Sequence, residues 1–166
     1  MNVFEFAMKM EKDGQHFYES ESAKAGHPAL KKIWLQLASD EIKHYEIFRK
    51  LRDGEIQEAS QMAKLGTDIL KRVQTVFEKA AKETSGFSFG DDVIAAWNKA
   101  QQLEVETEKF YRQKEQEESK PEVKKAFHLL ANEEQKHVHL IEHVLDFLHQ
   151  PKSWLEDAEW SSLNQG

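Results

Sequence analysis

The chain repeats itself. The tetrad Glu41-x-x-His44 recurs as Glu134-x-x-His137, 93 residues on. The same displacement carries Glu11 onto Glu104, Phe17 and Tyr18 onto Phe110 and Tyr111, Pro28 onto Pro121, Lys31 and Lys32 onto Lys124 and Lys125, and Ala38 onto Ala131. One such tetrad carries little information: with 22 glutamates and 8 histidines among 166 residues, about one arises by chance. Chance does not supply the common register. A repeat of this kind constrains the architecture before any local reading, because both halves must build the same supersecondary unit.

The halves read as helical hairpins. Only three prolines and seven glycines interrupt the chain, and apolar residues recur between them at helical intervals. The pattern predicts helices over 2–25, 29–52 and 91–118, and a fourth that follows the turn at Pro121 and continues to 149. Short turns at Gly26-His27-Pro28 and Ser119-Lys120-Pro121 make each pair antiparallel neighbours. Residues 53–90 form the crossover between the halves 2–52 and 91–149. Its amphipathic stretch runs from Ile69 to Ala81 and is followed by a loop over 84–90. Some 20 helical residues there would span about 30 Å, the length of the bundle. The expectation is an all-α fold: one four-helix bundle domain over 1–150, of two duplicated antiparallel hairpins with a long helical crossover. The tail 151–166 carries an amphipathic Trp154–Trp160 segment expected to lie on the bundle end or on a second subunit.

Composition removes several function classes. The chain has no cysteine, which excludes thiolate zinc sites, iron–sulfur clusters and a cysteine-held iron centre within this sequence. A net charge of −7 with the signs interspersed disfavours a nucleic-acid partner. No apolar run approaches the ~20 residues of a membrane span, and the N-terminus lacks a leader pattern. The expectation is a cytoplasmic protein with no membrane association.

The repeated polar residues fall on apolar seams. In the second predicted helix the steps of three and four run Leu30, Trp34, Leu37, Glu41, His44, Phe48, Leu51; in the fourth they run Val123, Phe127, Leu130, Glu134, His137, Ile141, Val144. The first and third helices add Ala7, Glu11, Gly14, Tyr18 and Ala100, Glu104, Thr107, Tyr111. Four carboxylates on the inner faces of a bundle repel one another, and an unpaired buried charge costs several kcal/mol or more. Two divalent cations would balance Glu11, Glu41, Glu104 and Glu134, leaving His44 and His137 as neutral nitrogen ligands. Within each tetrad the Glu and His are neighbours on one helix face, so both reach the same metal pair. Tyr18 and Tyr111, two turns beyond Glu11 and Glu104, lie where a hydroxyl reaches a ligand carboxylate. His139 and His143, spaced i, i+4, are a much weaker candidate for a separate metal.

A Glu from each of two helices and Glu-x-x-His from each of the other two is the pattern of the di-iron and di-manganese carboxylate bundles. On these residues, and on the stretch Glu11-Lys-Asp-Gly14-Gln-His-Phe17-Tyr18 with its echo from Glu104 to Tyr111, the chain resembles the ferritin-like superfamily. Within it, the likeness is to rubrerythrin-type diiron proteins that lack a rubredoxin domain. The resemblance implies Glu11 and Glu104 as terminal ligands, Glu41 and Glu134 as bridges, and His44 and His137 as nitrogen ligands. It also implies that Asp40 and Glu133, each just before a tetrad, hydrogen-bond the opposite histidine, an orienting role that ligating imidazoles require. The cofactor would be two iron ions, with manganese or a mixed pair also suited to these ligands, joined by an oxo or hydroxo bridge when oxidised. Two departures stand out. Thr107 occupies the place of an additional family glutamate, with Glu108 rotated by about 100° from it. The cysteine-rich electron-donating domain is missing from this sequence.

The functional expectation is therefore a non-haem diiron carboxylate oxidoreductase. It would act in oxidative stress on hydrogen peroxide or dioxygen, as a homodimer, with electrons from a separate donor protein. Gly14 and Thr107, small residues beside the terminal glutamates, would leave room for the O–O ligand between the metals. The alternatives are a ferroxidase or iron-binding protein for iron storage or delivery, and a purely structural metal site.

Overall fold

The computed structural model describes residues 1–82 and 89–151 of the protein. The loop expected over 84–90 falls mostly outside them, and the Trp154–Trp160 segment wholly. Six helices are present and, among the described residues, no strand: α1 Val3–Lys24, α2 Pro28–Arg52, α3 Ile56–Leu65, α4 Ile69–Ala81, α5 Asp91–Glu117 and α6 Pro121–His149. The fold is an all-α, ferritin-like bundle. Among the described residues no helix is long and apolar enough to cross a membrane.

Helix ends follow local chemistry. Asn2 Oδ1 accepts from the Glu5 amide at 2.8 Å and caps α1. His27 Nδ1 accepts from the Ala29 amide at 3.1 Å, and Pro28 opens α2 at a position whose missing N–H is not needed. Pro121 opens α6 in the same way. Asp91 and Asp92 place negative charge in the first turn of α5, complementing its dipole. α2 stops at Asp53-Gly54, where Gly54 has φ +80°.

The crossover is two helices, α3 and α4, broken at Gly66-Thr67-Asp68, and α4 coincides with the amphipathic stretch expected from Ile69 to Ala81. Gly66 adopts φ 59°, ψ −158°, a region open essentially to glycine. A β-carbon there would also lie 2.4 Å from Glu133 Oε1. The chain turns at this point because it passes directly beside α6. Gly66→Ala is expected to destabilise the protein by about 1–3 kcal/mol, measured as a lower urea midpoint with an unchanged m-value. An unshifted midpoint would show that the turn has other ways to close.

α1 packs along α2 and α5 along α6, whereas α3 and α4 lie across the hairpins, touching both α2 and α6. Apolar burial is divided into two clusters. One holds Tyr18, Trp34, Phe77, Trp97, Val144 and their neighbours. The other holds Ala7, Phe48, Tyr111, Phe127, Leu130 and theirs. Between them lies a buried polar layer of Glu11, Glu41, His44, Glu104, Glu134 and His137, none more than 4% exposed. All fourteen seam residues of α2 and α6 are buried.

Candidate metal centre

Each of the four long helices contributes to that layer. α1 supplies Glu11, α2 Glu41 and His44, α5 Glu104, and α6 Glu134 and His137. Two overlapping groups of potential ligand atoms form, each within 4.8 Å: Glu11, Glu41, His44 and Glu134, and Glu41, Glu104, Glu134 and His137. Glu41 and Glu134 belong to both, the placement a bridging carboxylate needs. Glu11 and Glu104 each belong to one, the placement of a terminal ligand. Both imidazoles turn Nδ1 inward. His44 Nδ1 lies 3.0 Å from Glu134 Oε1 and 3.6 Å from Glu11 Oε2; His137 Nδ1 lies 3.2 Å from Glu104 Oε1 and 3.5 Å from Glu41 Oε1. The rings face each other with centroids 5.7 Å apart.

The tyrosines cross between hairpins. Tyr18 on α1 donates its hydroxyl to Glu104 on α5, and Tyr111 on α5 donates to Glu11 on α1 at 2.5 Å. Burial, together with the facing carboxylates, holds both phenols well above their ordinary pKa, so they remain donors.

Burial and mutual charge shift every titratable group of the layer. Burial and the three neighbouring carboxylates raise Glu41 well above the usual carboxylate range. Burial with Glu104 and Glu11 does the same to Glu134. Burial works against ionisation of Glu11 and Glu104 as well. For these two the facing His44 and His137 outweigh it and hold the carboxyls low. Burial opposes charge on the histidines, yet Glu11 raises His44 and Glu104 raises His137 well above ordinary imidazole. Glu134 is the nearer neighbour of His44 and adds to the effect, but Glu11 contributes more.

The donor set fits a pair of hard or borderline divalent cations. Glu11 Oε2, Glu41 Oε1 and Glu134 Oε2 are buried with no hydrogen-bond partner among the described residues. Such oxygens are costly when left unsatisfied, and all three belong to the candidate ligands.

The two halves are not equivalent behind the histidines. His137 Nε2 meets Asp40 Oδ2 at 2.9 Å. Asp40 is fully buried, accepts from Thr67 Oγ1 at 2.6 Å and from Arg72 Nη2 at 2.7 Å, and is held well below the ordinary carboxylate range despite its burial. Glu133, its counterpart, does not meet His44. It turns to Thr67 Oγ1 at 3.1 Å and Lys136 Nζ at 3.3 Å, and His44 Nε2 has no partner among the described residues. A cavity of about 300 Å³, lined by His44, Met62, Gly66, Thr67, Leu130 and Glu133, opens there instead. The physical reason is the crossover: the Thr67 hydroxyl and the Gly66 turn reach α6 and draw Glu133 away.

Thr67 and Arg72, which hold Asp40, were missed by motif reading. A partner 27 residues away on α2 has no sequence signal. Gly14 faces Glu41, whose Oε2 would lie 3.0 Å from an added β-carbon. Thr107 donates to the Leu103 carbonyl at 2.8 Å, and Glu108 pairs with Arg112 at 3.2 Å; neither reaches the layer through these bonds. His139 and His143 lie with ring centroids 4.6 Å apart, and no group of three or more candidate ligands includes them among the described residues.

A family model described as Rubrerythrin matches residues 2–145. No curated protein and no solved structure matches the chain. Because the family match runs through both halves of the repeat and the crossover between them, the chain belongs to the rubrerythrin family, whose ferritin-like domain implies a metal-binding diiron site.

Proposed function

We propose that the protein is a non-haem diiron carboxylate oxidoreductase that reduces hydrogen peroxide or dioxygen, with electrons from a separate donor. The observation that carries this reading is the sharing of Glu41 and Glu134 between two four-residue groups, which suits two metal ions side by side rather than one. Such an iron pair, when bound, supplies two electrons to an O–O bond and polarises it. Glu11, Glu104, His44 and His137 would each hold one side of the pair. Tyr18 and Tyr111 keep Glu104 and Glu11 oriented and offer a proton at the phenolic oxygen. Trp34, Phe48, Trp97 and Phe127, all nearly inaccessible, exclude bulk water above and below the layer. With no cysteine in the sequence, electrons have to come from outside it.

Stopped-flow mixing of the anaerobic, ferrous-loaded protein with peroxide tests the reading. Reoxidation much faster than that of free ferrous iron, accompanied by the near-ultraviolet absorption of a bridged ferric pair, is expected. Reoxidation no faster than free iron would sink it.

A further inference from the structure

The two imidazoles of the polar layer are backed differently. Each ring turns Nδ1 to the carboxylates, which leaves Nε2 on the opposite edge. Behind His137 that place is filled by Asp40, at 2.9 Å. Behind His44 lies the cavity of about 300 Å³ between α2, α6 and the end of α3. His44 is 1% exposed, and its Nε2 has no hydrogen-bond partner among the described residues. A buried ring nitrogen is costly when left alone, so whatever enters the cavity has a polar atom waiting for it.

The lining defines the occupant. Ile47, Met62, Ala63, Leu65 and Leu130 make most of the wall, so most of the occupant has to be apolar. A cavity of about 150 Å³ takes benzene, so about ten non-hydrogen atoms is the ceiling here. Two polar demands remain. When Nδ1 ligates a metal ion, the one hydrogen of the neutral ring sits on Nε2, and the occupant has to accept a hydrogen bond there. Glu133, only 6% exposed, lines the same cavity. Its carboxylate is met by Thr67 Oγ1 at 3.1 Å and Lys136 Nζ at 3.3 Å, and it keeps acceptor capacity beyond those two bonds. An anionic head would face that buried carboxylate, and an ammonium head has no lone pair for Nε2–H. Lys43, the other charged residue of the lining, is exposed, where water and salt screen its ammonium. A hydroxyl meets both demands: its oxygen accepts from His44 and its hydrogen is donated to Glu133.

We infer that this cavity binds a small neutral alcohol, a hydroxyl head on a short alkyl body, and that the occupant braces His44 as Asp40 braces His137. The site is built from the chain's own side chains and does not depend on the oxidoreductase reading. Because the hydroxyl holds the nitrogen opposite Nδ1, alcohol and metal binding are linked. Whatever factor the alcohol adds to metal affinity, the metal adds to alcohol affinity.

The test titrates 1-butanol, butyrate and butylammonium into the full chain, metal-free and loaded with redox-inert zinc(II). Nuclear magnetic resonance follows the Met62 methyl and the His44 ring nitrogens. 1-Butanol is expected to saturate in the millimolar range, to move both signals, and to bind roughly tenfold more tightly than either ion. At saturating 1-butanol, zinc affinity measured against a chelator should rise by roughly tenfold, the low end of what a group orienting a ligating imidazole contributes. Glu133→Gln removes the negative charge at nearly unchanged size and should narrow the gap between butyrate and 1-butanol. Ala63→Met fills the cavity from α3 and should abolish binding; its urea midpoint reports whether it folds, and the Glu133→Gln comparison stands without it. Either ion binding as tightly as 1-butanol, or no saturable shift with any of the three, overturns the site and leaves a cavity that holds water alone. Saturable binding of 1-butanol with unchanged zinc affinity overturns the bracing of His44. Neither result touches reoxidation by peroxide, which tests the oxidoreductase reading separately.

Discussion

Titrating the metal-free protein with a divalent cation at pH 7 is expected to release protons, up to four per chain for two ions bound. The protons come from Glu41 and Glu134, raised by burial and by neighbouring carboxylates, and from His44 and His137, raised against their burial by Glu11 and Glu104. All four must deprotonate to ligate. While they hold those protons, the product of the two binding constants rises by about four orders of magnitude per pH unit. Calorimetry in buffers of different ionisation enthalpy counts the protons directly; release of fewer than two would mean that the buried carboxylates are already ionised without metal.

The same groups set how stability of the metal-free form varies with pH. Glu41, Glu134, His44 and His137 have folded values above their model values of 4.5 and 6.5. Their contribution is complete below those model values and is lost as pH rises through the folded ones. Glu11, Glu104 and Asp40 have lowered values, so theirs is present above the ordinary carboxylate range and lost as pH falls through the folded values. The melting temperature of the metal-free protein should therefore peak on the mildly acidic side and fall towards alkaline pH. Loading with metal reverses the alkaline limb, because bound cations stabilise the deprotonated ligands.

Asp40→Ala is expected to weaken metal binding by roughly 10–100-fold, the usual cost of losing a group that orients a ligating imidazole. Glu133→Ala, at the equivalent position of the other half, should change it only a few-fold. The contrast follows from geometry. Asp40 holds His137 Nε2 at 2.9 Å and is itself fixed by Thr67 and Arg72. Glu133 is engaged by Thr67 and Lys136 and leaves His44 Nε2 alone. Competition against a chelator of known affinity measures both variants, and equal losses would refute the inequivalence.

The four long helices were legible because three independent signals agreed over them: the seam periodicity, the proline and glycine stops, and the repeat itself. The six polar seam residues were legible for the same reason, since a helix face fixes direction once its apolar stripe is known. The crossover was legible in part, since α4 covers the amphipathic stretch Ile69–Ala81. Its first helix, α3, buries only Ala59 and Ala63, too little apolar surface to announce a helix. Its contacts to α2 and α6 are tertiary, and nothing local encodes them. Glu133 shows the limit of reading by symmetry: the register put it opposite Asp40, but a segment outside the register decided what it touches.

That segment has a wider consequence. Duplication by itself yields two half-sites that are copies, and copies bind, release and react alike. Inequivalence can enter through point substitutions, such as tryptophan against phenylalanine, or through a part that has no duplicate. Among the described residues α3 and α4 are that part. A chain made by joining two identical hairpins would need only such a strap, laid across one side of the pair, to acquire a first metal position and a second. The order of metal loading would then be written in the connection between the repeats rather than in either of them.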